Sequence, residues 1–276
     1  MTAPDPVPPI LWHYTSLDAL IGIVSSESIW ASDVRCLNDA TEFEYGRQIT
    51  MKAIEAYEAA SSGFREFAKP IAAGNYRQGI DFAFSMSERD DLLSQWRSYC
   101  SPVAGCSIGF DSNALSLAAW DDGKRNYRFT LIKCVYAEHE QTAMIDKVLA
   151  SSYEVAQGFH PSRTGSFLSG GFGLAIPRMK HPSFQEECEW RLTQFRDQTP
   201  RDYKTPSDYD DPIEYRMGKS TIVPYVKIPL KPLPITEIKL GPCPHPELSE
   251  ATVKSFLATH KLAAAVTHSR IPYRAW

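Results

Sequence analysis

Two segments in which apolar and polar residues alternate most constrain how this chain can fold. Residues 81–87 read DFAFSMS and residues 189–195 read EWRLTQF. Successive side chains of a β-strand point to opposite faces, so each segment predicts a strand with one apolar and one polar face. We therefore expect a sheet that packs its apolar face on a core and turns its polar face toward a cleft.

Helical patterns precede and follow these strands. Ser16 can cap a helix whose apolar residues recur at the three-and-four spacing of one buried face. A second helix is predicted from Asn38 to about Ala60, because Asp39 and Glu42 have the spacing of a capping box. The chain thus begins with helices that have their own start signals.

The rest of the sequence continues to alternate between strand and helix patterns. Ser87 with Asp90 can cap one helix, and Ser249 can cap another near the C-terminus. The other predicted elements are a helix at 142–157 and strands at 28–32, 106–110, 127–136, 222–230, 235–240 and 264–268. Prolines in and around the strands 222–230 and 235–240 confine both to sheet edges. The short links between elements favour an α+β fold over a doubly wound sheet.

Length and composition predict one folded domain. The chain has 276 residues and a mass of 31.0 kDa, and 43% of its residues are hydrophobic. A chain of this size can bury about three-quarters of its surface. No charge block, Ser-rich tract or long Gly-rich stretch divides it. We expect a flexible Pro-rich lead-in at residues 1–9 and a single domain at 10–276.

Charge and cysteine content indicate the compartment and the kinds of partner to expect for this protein. The 29 Lys and Arg against 33 Asp and Glu give a net charge of −4, which supplies no global attraction to nucleic acid or anionic membranes. The six cysteines form no C-x-x-C pair, and the first residues lack the pattern of a signal peptide. No apolar run approaches the roughly 20 residues that cross a bilayer. These features predict a cytoplasmic protein with reduced thiols and no membrane partner.

A glycine-rich stretch precedes the second alternating segment. Residues 158–182 include Gly165, Gly170, Gly171 and Gly173. This composition predicts a long mobile loop, and loops of that length usually serve a function.

The second alternating segment also carries a pair of carboxylates. A period of two places Glu187, Glu189 and Arg191 on one strand face. One carboxylate there can stabilise positive charge that develops on a sugar, while the other orients a nucleophile or binds a ribose hydroxyl. The simpler interpretation is a surface salt bridge between Glu189 and Arg191 at an exposed strand end.

Other motifs give weaker signals. Residues 105–109 match the G-x-S-x-G pattern of a hydrolase with Ser107 as nucleophile, but they alternate like a strand interior. The seven histidines form no metal-binding spacing, so no metal site is expected. Ser85 and Ser87 can simply be the solvated face of a strand.

Short motifs along the chain resemble a widespread bacterial family of domains classed as of unknown function. Together they extend from about residue 10 to the last residue. In order they are HYTS at 13–16, LNDxxE at 37–42, FSxS at 84–87, QWxxY at 95–99, FxxExEWR at 184–191, LGP at 240–242 and SxIPYR at 269–274.

This pattern in turn resembles the fold of NAD-dependent ADP-ribosyltransferases, in which split β-sheets with flanking helices grip NAD. The resemblance implies that His13 binds an NAD ribose and that Ser85-Met86-Ser87 corresponds to an S-T-S strand. It further implies that Glu187-x-Glu189, after a mobile substrate-recognition loop, supplies the catalytic glutamate, with Glu189 favoured. The resemblance also implies that the backbone of Tyr14, in place of a glycine, contacts nicotinamide.

The resemblance assigns further roles residue by residue. The ring that stacks on nicotinamide is left open between Tyr45 and Tyr99. Arg191 or Arg97 could contact the pyrophosphate. The residues expected to act in catalysis are Glu189, Glu187 and His13, and those expected to bind NAD are His13, Tyr14, Thr15, Ser85, Ser87, Arg97 and Arg191.

The function implied by the resemblance is transfer of ADP-ribose from NAD, as co-substrate and without a metal, to a protein or nucleic acid. It also implies a toxin or phage-defence effector, for which an antitoxin is a candidate partner. Three alternatives stay open: an NAD glycohydrolase, a serine hydrolase using Ser107, and a non-catalytic nucleotide- or RNA-binding module that stacks bases on Trp96, Tyr99 and Trp120.

Overall fold

The two alternating segments form neighbouring antiparallel strands at the centre of a mixed sheet. In this computed structural model, strand β3 (Gly79–Ser87) pairs along its whole length with strand β6 (Glu189–Asp197). Ser85 lies opposite Arg191, and Ser87 lies opposite Glu189. Directly opposed residues share a face, so the polar residues that the period of two groups within each strand also lie together across the pair.

The structure describes residues 6–37, 42–74, 79–100, 104–120, 129–158, 160–197, 212–218 and 221–274. Within these ranges the other strands are β1 (Ile10–Ser16), β2 (Ser28–Asp33), β4 (Gly105–Asp111), β5 (Thr130–Lys133), β7 (Glu214–Met217), β8 (Ile222–Pro229), β9 (Ile235–Leu240) and β10 (Ala265–His268). The helices are α1 (Leu17–Ser26), α2 (Glu42–Ala56), α3 (Ser62–Ala72), α4 (Leu93–Tyr99), α5 (Ser112–Trp120), α6 (Glu138–Gly158), α7 (Pro161–Ala175) and α8 (Pro246–Thr259). Short 3₁₀ turns lie at Val34–Cys36, Ile176–Arg178 and Pro182–Glu187. The α+β class is confirmed.

The sheet divides where β1 and β2 meet β3. Strand β6 occupies one edge of β3, so β1 and β2 must share the other edge. Strand β2 pairs there only at Ala83 and Phe82, and β1 pairs only at Ser87. One arm then continues from β1 through β4 and β9 to β10, and the other continues from β2 through β8 to β7. We call this division the fork, and it opens a cleft between the two arms.

Two apolar cores support this architecture. The first lies against the sheet, where α1, α5 and α8 pack on inward-facing residues such as Phe82, Phe84 and Leu192. The second is built by α2, α3, α6 and α7 around residues such as Ile145, Leu149 and Leu168. We call this second group of helices the helical layer.

The glycine-rich stretch is a helix and not the expected mobile loop. His160 caps α7 by accepting a hydrogen bond from the Ser162 N–H, and Pro161 occupies the first turn. A Cβ at Gly171 would lie 2.4 Å from a methyl carbon of Val148 on α6. The glycine therefore permits close helix packing, and tertiary contact overrides the low helix propensity of the segment.

Several predicted helix starts are wrong. The N-cap of α4 is Leu92, so Ser87 does not cap it, and the N-cap of α8 is His245, so Ser249 does not cap it. Ser16 caps α1 as predicted, with its hydroxyl accepting from the Ala19 N–H at 3.2 Å. The proposed cap residues Asn38 and Asp39 lie outside the described residues.

The proline-containing strands are not edge strands. Strand β8 pairs with both β2 and β7, and β9 pairs with both β4 and β10. Pro224 lies opposite Tyr215 of β7, beyond the stretch that pairs with β2, and Pro229 is the last residue of β8. These prolines lie where one neighbouring strand has already ended, so the missing N–H groups interrupt little of the ladder.

Candidate functional site

A cavity of about 820 Å³ opens at the fork. Its volume falls within the range of roughly 300–1,000 Å³ that small-molecule sites occupy. Its lining comes from both arms, from β3 between them and from the turn that leads into β6. Every site residue expected from the sequence lines it: His13, Tyr14, Thr15, Ser85, Ser87, Arg97, Glu187, Glu189 and Arg191.

His13 bridges the two sides of the fork. Its Nδ1 lies 2.8 Å from the carbonyl oxygen of Ser85, and its ring stacks on Phe84 with centroids 4.2 Å apart. A carbonyl only accepts, so Nδ1 carries the proton in this bond. Burial is the largest effect on the pKa of His13 and lowers it, the bond to Ser85 opposes burial, and the charge of Arg216 adds a smaller decrease, which together leave the pKa at about 4. His13 is therefore neutral at pH 7, which leaves Nε2 as a hydrogen-bond acceptor.

Four alternating charges form the wall of the cavity at the start of β6. Arg191 holds Glu189 in a two-point ion pair, with Nε to Oε1 at 2.7 Å and Nη2 to Oε2 at 2.8 Å. Lys180 donates to Oε2 of Glu189 at 2.6 Å and also to Oε2 of Glu187. We call these four residues the ionic cluster. It is not the exposed surface pair that the simpler interpretation of the sequence suggested, because the Lys180, Glu189 and Arg191 side chains are at most 6% exposed.

The cluster keeps Glu189 ionised. Burial alone would raise its pKa, but the charges of Arg191 and Lys180 and their hydrogen bonds outweigh burial and bring the pKa down to about 2. The backbone N–H of Glu189 donates to the Tyr136 hydroxyl at 2.8 Å. The carboxylate is thus fixed in both charge and position.

Glu187 reaches the cluster from outside the strand. It ends the 3₁₀ turn Pro182–Glu187, and Cys188 between it and β6 has a left-handed backbone with φ 44°. The period of two therefore does not extend to Glu187, although Lys180 still joins it to Glu189. Non-glycine residues rarely adopt this conformation, and such strain concentrates at functional sites. The Glu187 side chain is 14% exposed, against 6% for Glu189.

Two other expected binding residues, Ser87 and Tyr14, also make hydrogen bonds that hold neighbouring segments in place. The Ser87 hydroxyl donates to the Glu187 carbonyl at 2.7 Å, so it holds the turn that carries this glutamate. The Tyr14 hydroxyl donates to the Arg89 carbonyl and accepts from the Leu92 N–H, both at 2.9 Å. Tyr14 thus fixes the start of α4 with its side chain.

Two arginines add positive charge to the lining. Arg97 on α4 lies with its guanidinium 4.8 Å from the ring centroid of Tyr273, and Arg216 on β7 donates to the Ser32 hydroxyl at 2.9 Å. Arg97, Arg216, Lys180 and Arg191 together outnumber the two glutamates that line the cavity. With His13 neutral, the described lining carries a net positive charge inside a chain of net charge −4.

Sequence reasoning missed Lys180, Arg216 and Ser32. Lys180 follows a 3₁₀ turn and Arg216 lies in a four-residue strand, so neither belongs to a periodic pattern. Ser32 ends a segment predicted as a strand, but nothing in the sequence indicated which strand would face it. These residues reach the cavity only through tertiary contacts.

The candidate nucleophile and the candidate stacking residues lie in different parts of the structure. Ser107 is fully buried in the middle of β4, between β1 and β9, so the exposed turn of a hydrolase nucleophile is absent there. Of the stacking candidates, Tyr99 lines the cavity, whereas Tyr45 donates to Gln141 in the helical layer. Trp96 is buried and donates to Asp91, and the side chain of Trp120 lies outside the described residues.

The described residues were compared with the patterns of metal sites and of membrane-spanning helices. Within the described ranges, no group of three or more His, Cys, Asp or Glu side chains is arranged to hold a metal ion. No helix in that part of the chain has both the length and the apolar character to cross a bilayer.

Part of the chain matches a known family model. Residues 95–192 match the model of a family described as "Protein of unknown function (DUF2971)". The matched segment runs from α4 into β6 and contains Arg97 and the whole ionic cluster. The match supports the expected resemblance to a family of domains of unknown function. Comparison with curated proteins and with solved structures gives no match.

Proposed function

We propose that this chain is an ADP-ribosyltransferase-like enzyme, which binds NAD in the fork and breaks the bond between its ribose and nicotinamide. The observation that carries the proposal is the convergence of three elements on one cleft. His13 lies on β1, the serines lie on β3, and the carboxylates of the ionic cluster lie at the start of β6.

The chemistry of the lining fits a dinucleotide. The net positive lining favours a ligand with a pyrophosphate, and Arg97 and Arg216 offer planar donors suited to phosphate oxygens. The acceptor Nε2 of His13 suits a ribose hydroxyl. A cavity of about 820 Å³ can enclose most of such a ligand.

The carboxylates suit ribosyl transfer. When the bond from ribose C1′ to nicotinamide breaks, positive charge develops on the ribose, and a fixed carboxylate nearby stabilises it. Glu189 is the residue we favour for binding the ribose 2′-hydroxyl, and the more exposed Glu187 would orient the acceptor. The acceptor then forms a bond to C1′ and loses its proton to solvent, while nicotinamide leaves as a neutral base. Water in place of a macromolecule would make the same site a glycohydrolase.

One observation favours a second candidate, a nucleotide-binding module without turnover. Both oxygens of Glu189 accept hydrogen bonds from cations within the cluster. A carboxylate held in this way binds a hydroxyl less strongly than one that faces only the ligand. In addition, the expected mobile recognition loop before the glutamates is the packed helix α7, so recognition of an acceptor has no support from that segment.

The test is release of nicotinamide from NAD by purified protein, alone and with cell lysate. Wild type is compared with Glu187→Gln, with Glu189→Gln and with Glu186→Gln, which alters an exposed neighbour that does not line the cavity. We expect release by wild type and Glu186→Gln and at least a tenfold loss in Glu189→Gln. Release that requires lysate indicates transfer, and release without lysate indicates hydrolysis.

Two outcomes would count against the enzyme. If NAD raises the melting temperature but no nicotinamide is released, the binding module is favoured. If NAD neither reacts nor raises the melting temperature, the chain does not use NAD in this cleft.

A further inference from the structure

Lys180 is a buried lysine at the junction of the two carboxylates, and no sequence motif indicated it. Its side chain is 2% exposed, and its ammonium group contacts both Glu187 and Glu189. A lysine is almost never fully buried unless it is paired, so this placement is a specific feature.

Two carboxylates that converge on one point repel each other. In the absence of a cation such a pair shares a proton, which leaves one member neutral. Lys180 occupies the point that this proton would take, because it lies within hydrogen-bond distance of an oxygen on each glutamate. A cation in this position allows both carboxylates to carry charge at once.

The backbone of Lys180 is fixed from the helical layer. Its N–H donates to the Val135 carbonyl at 3.1 Å, and its carbonyl accepts from Nε2 of Gln141 at 2.9 Å. Gln141, which is fully buried on α6, also donates to Val135 at 2.7 Å and accepts from the Tyr45 hydroxyl at 2.9 Å. The ammonium group therefore projects from an anchored backbone.

The other groups around the carboxylates come from each neighbouring element. Arg191 on β6 pairs with Glu189, and the hydroxyl of Tyr136, which follows β5, accepts from the Glu189 backbone. The Phe184 ring in the 3₁₀ turn lies 5.0 Å from the Lys180 ammonium. Arg191 contacts Glu189, and Lys180 contacts both glutamates and thereby joins Glu187 to the cluster.

We infer that Lys180 is a positioning residue, whose ammonium group holds Glu187 and Glu189 together in the cleft as two charged carboxylates. Its role in turnover rests on the proposed function. The arrangement itself can be tested without NAD, so failure of one claim is distinguishable from failure of the other.

The first experiment follows the two side-chain carboxyls by ¹³C NMR of glutamate-labelled protein during a pH titration without NAD. Glu187→Gln and Glu189→Gln assign the signals. In wild type we expect neither carboxyl to take up a proton between pH 8 and 5. In Lys180→Met we expect one of them to titrate with a midpoint about 1 to 3 pH units above the ordinary glutamate pKa of about 4.3, that is, at about pH 5.3 to 7.3.

Two variants separate this effect from a change in folding. Lys180→Arg keeps the cation and should titrate like wild type. Lys180→Met combined with Glu187→Gln removes one charge of each sign, so the raised midpoint should disappear while Arg191 still holds Glu189.

The second experiment measures the pH profile of nicotinamide release. Wild type should be insensitive to pH from 8 to 6, whereas Lys180→Met should lose about tenfold in kcat/KM over each pH unit below its raised midpoint. Lys180→Arg should restore the flat profile. A merely structural loss would lower activity equally at every pH.

The inference is overturned if a wild-type cleft glutamate titrates between pH 8 and 5, a result that needs no variant to fold. It is equally overturned if folded Lys180→Met titrates like wild type. If the titrations behave as expected but no nicotinamide is released, the arrangement stands and the proposed function fails.

Discussion

The two cores of this protein bury polar groups in different ways. In the helical layer the buried polar side chains Thr50, Gln141, Ser152 and Thr164 are neutral. Beside the fork, the buried polar side chains include Lys180, Glu189 and Arg191. A buried ion pair is seldom more stabilising than apolar residues of similar volume, whereas breaking it is strongly destabilising. Charge is therefore buried at the cleft at a cost in stability, which suggests a role there beyond folding.

Removing one charge of the ionic cluster is the most direct test of this difference between the two regions. Arg191→Met leaves Glu189 buried with Lys180 as its remaining cation, and we expect the free energy of unfolding to fall by about 3 to 5 kcal/mol. Urea unfolding at pH 7 measures this loss. Arg270→Met, which changes an exposed arginine, is the control and should stay within about 0.5 kcal/mol of wild type. An equal, small effect of both variants would show that the cluster does not depend on Arg191.

A cavity in the helical layer should cost stability and leave the cleft intact. Leu168 on α7 is fully buried in the second core, so Leu168→Ala should lower the free energy of unfolding by about 3 kcal/mol. Leu174→Ala on the same helix changes a side chain that is 58% exposed and should have little effect. Thermal unfolding compares the two variants. If NAD raised the melting temperature of wild type but not that of folded Leu168→Ala, the separation of the two regions would be wrong.

Two adjacent glycines on α7 provide a finer test of the helical layer. A Cβ at Gly171 meets Val148 at 2.4 Å, whereas a Cβ at Gly170 meets nothing within 4 Å. Gly171→Ala should therefore destabilise by about 1 to 3 kcal/mol through overpacking. Gly170→Ala should stabilise by about 0.5 to 1 kcal/mol, because alanine favours the helix.

Chemical denaturation of both glycine variants at one pH gives the comparison. Opposite signs support a packed helix at this position. Similar small changes in both variants would instead favour the mobile loop that the composition predicted.

These two regions also differ in how far the sequence predicts them. The period of two in β3 and β6 correctly predicts two strands, with Ser85 and Ser87 on one face of β3 and Glu189 and Arg191 on one face of β6; that the two strands pair and bring these faces together is known only from the structure. Side-chain alternation is a local property of the backbone, so it can be read without knowing the fold. Lys180 enters the same cluster from a turn, and its place there depends on tertiary contacts such as those of its backbone with Val135 and Gln141.

The glycines of α7 illustrate the opposite error. Glycine favours loops when a segment is considered alone, but Gly171 packs against Val148 because the helix needs close approach at that point. The contact joins α6 and α7, and neither helix reveals it by its own pattern. Composition was therefore a poor guide in the helical layer, while alternation was a good guide in the sheet.

A further small effect is expected in the pH dependence of stability that His13 contributes. Its pKa is about 4 in the folded chain and about 6.5 when unfolded, so the unfolded chain binds the extra proton as the pH falls through 6.5. Stability should therefore decrease between pH 6.5 and 4. Glu189, with a pKa of about 2 against 4.5, contributes stability that is lost only below pH 4.5.

Glu189 contributes little pH dependence above pH 5, so the contribution of His13 can be measured separately there. Between pH 7 and 5.5 we expect wild type to lose about 1 kcal/mol through this residue. His13→Gln keeps a donor for the Ser85 carbonyl but has no titrating group, so its free energy of unfolding should fall by about 1 kcal/mol less than that of wild type over this pH range. His139→Gln, which alters an exposed histidine, should behave like wild type. If His13→Gln shows the full wild-type dependence, His13 is not held neutral at the fork. Its Nε2 would then be unable to act as the acceptor for a ribose hydroxyl.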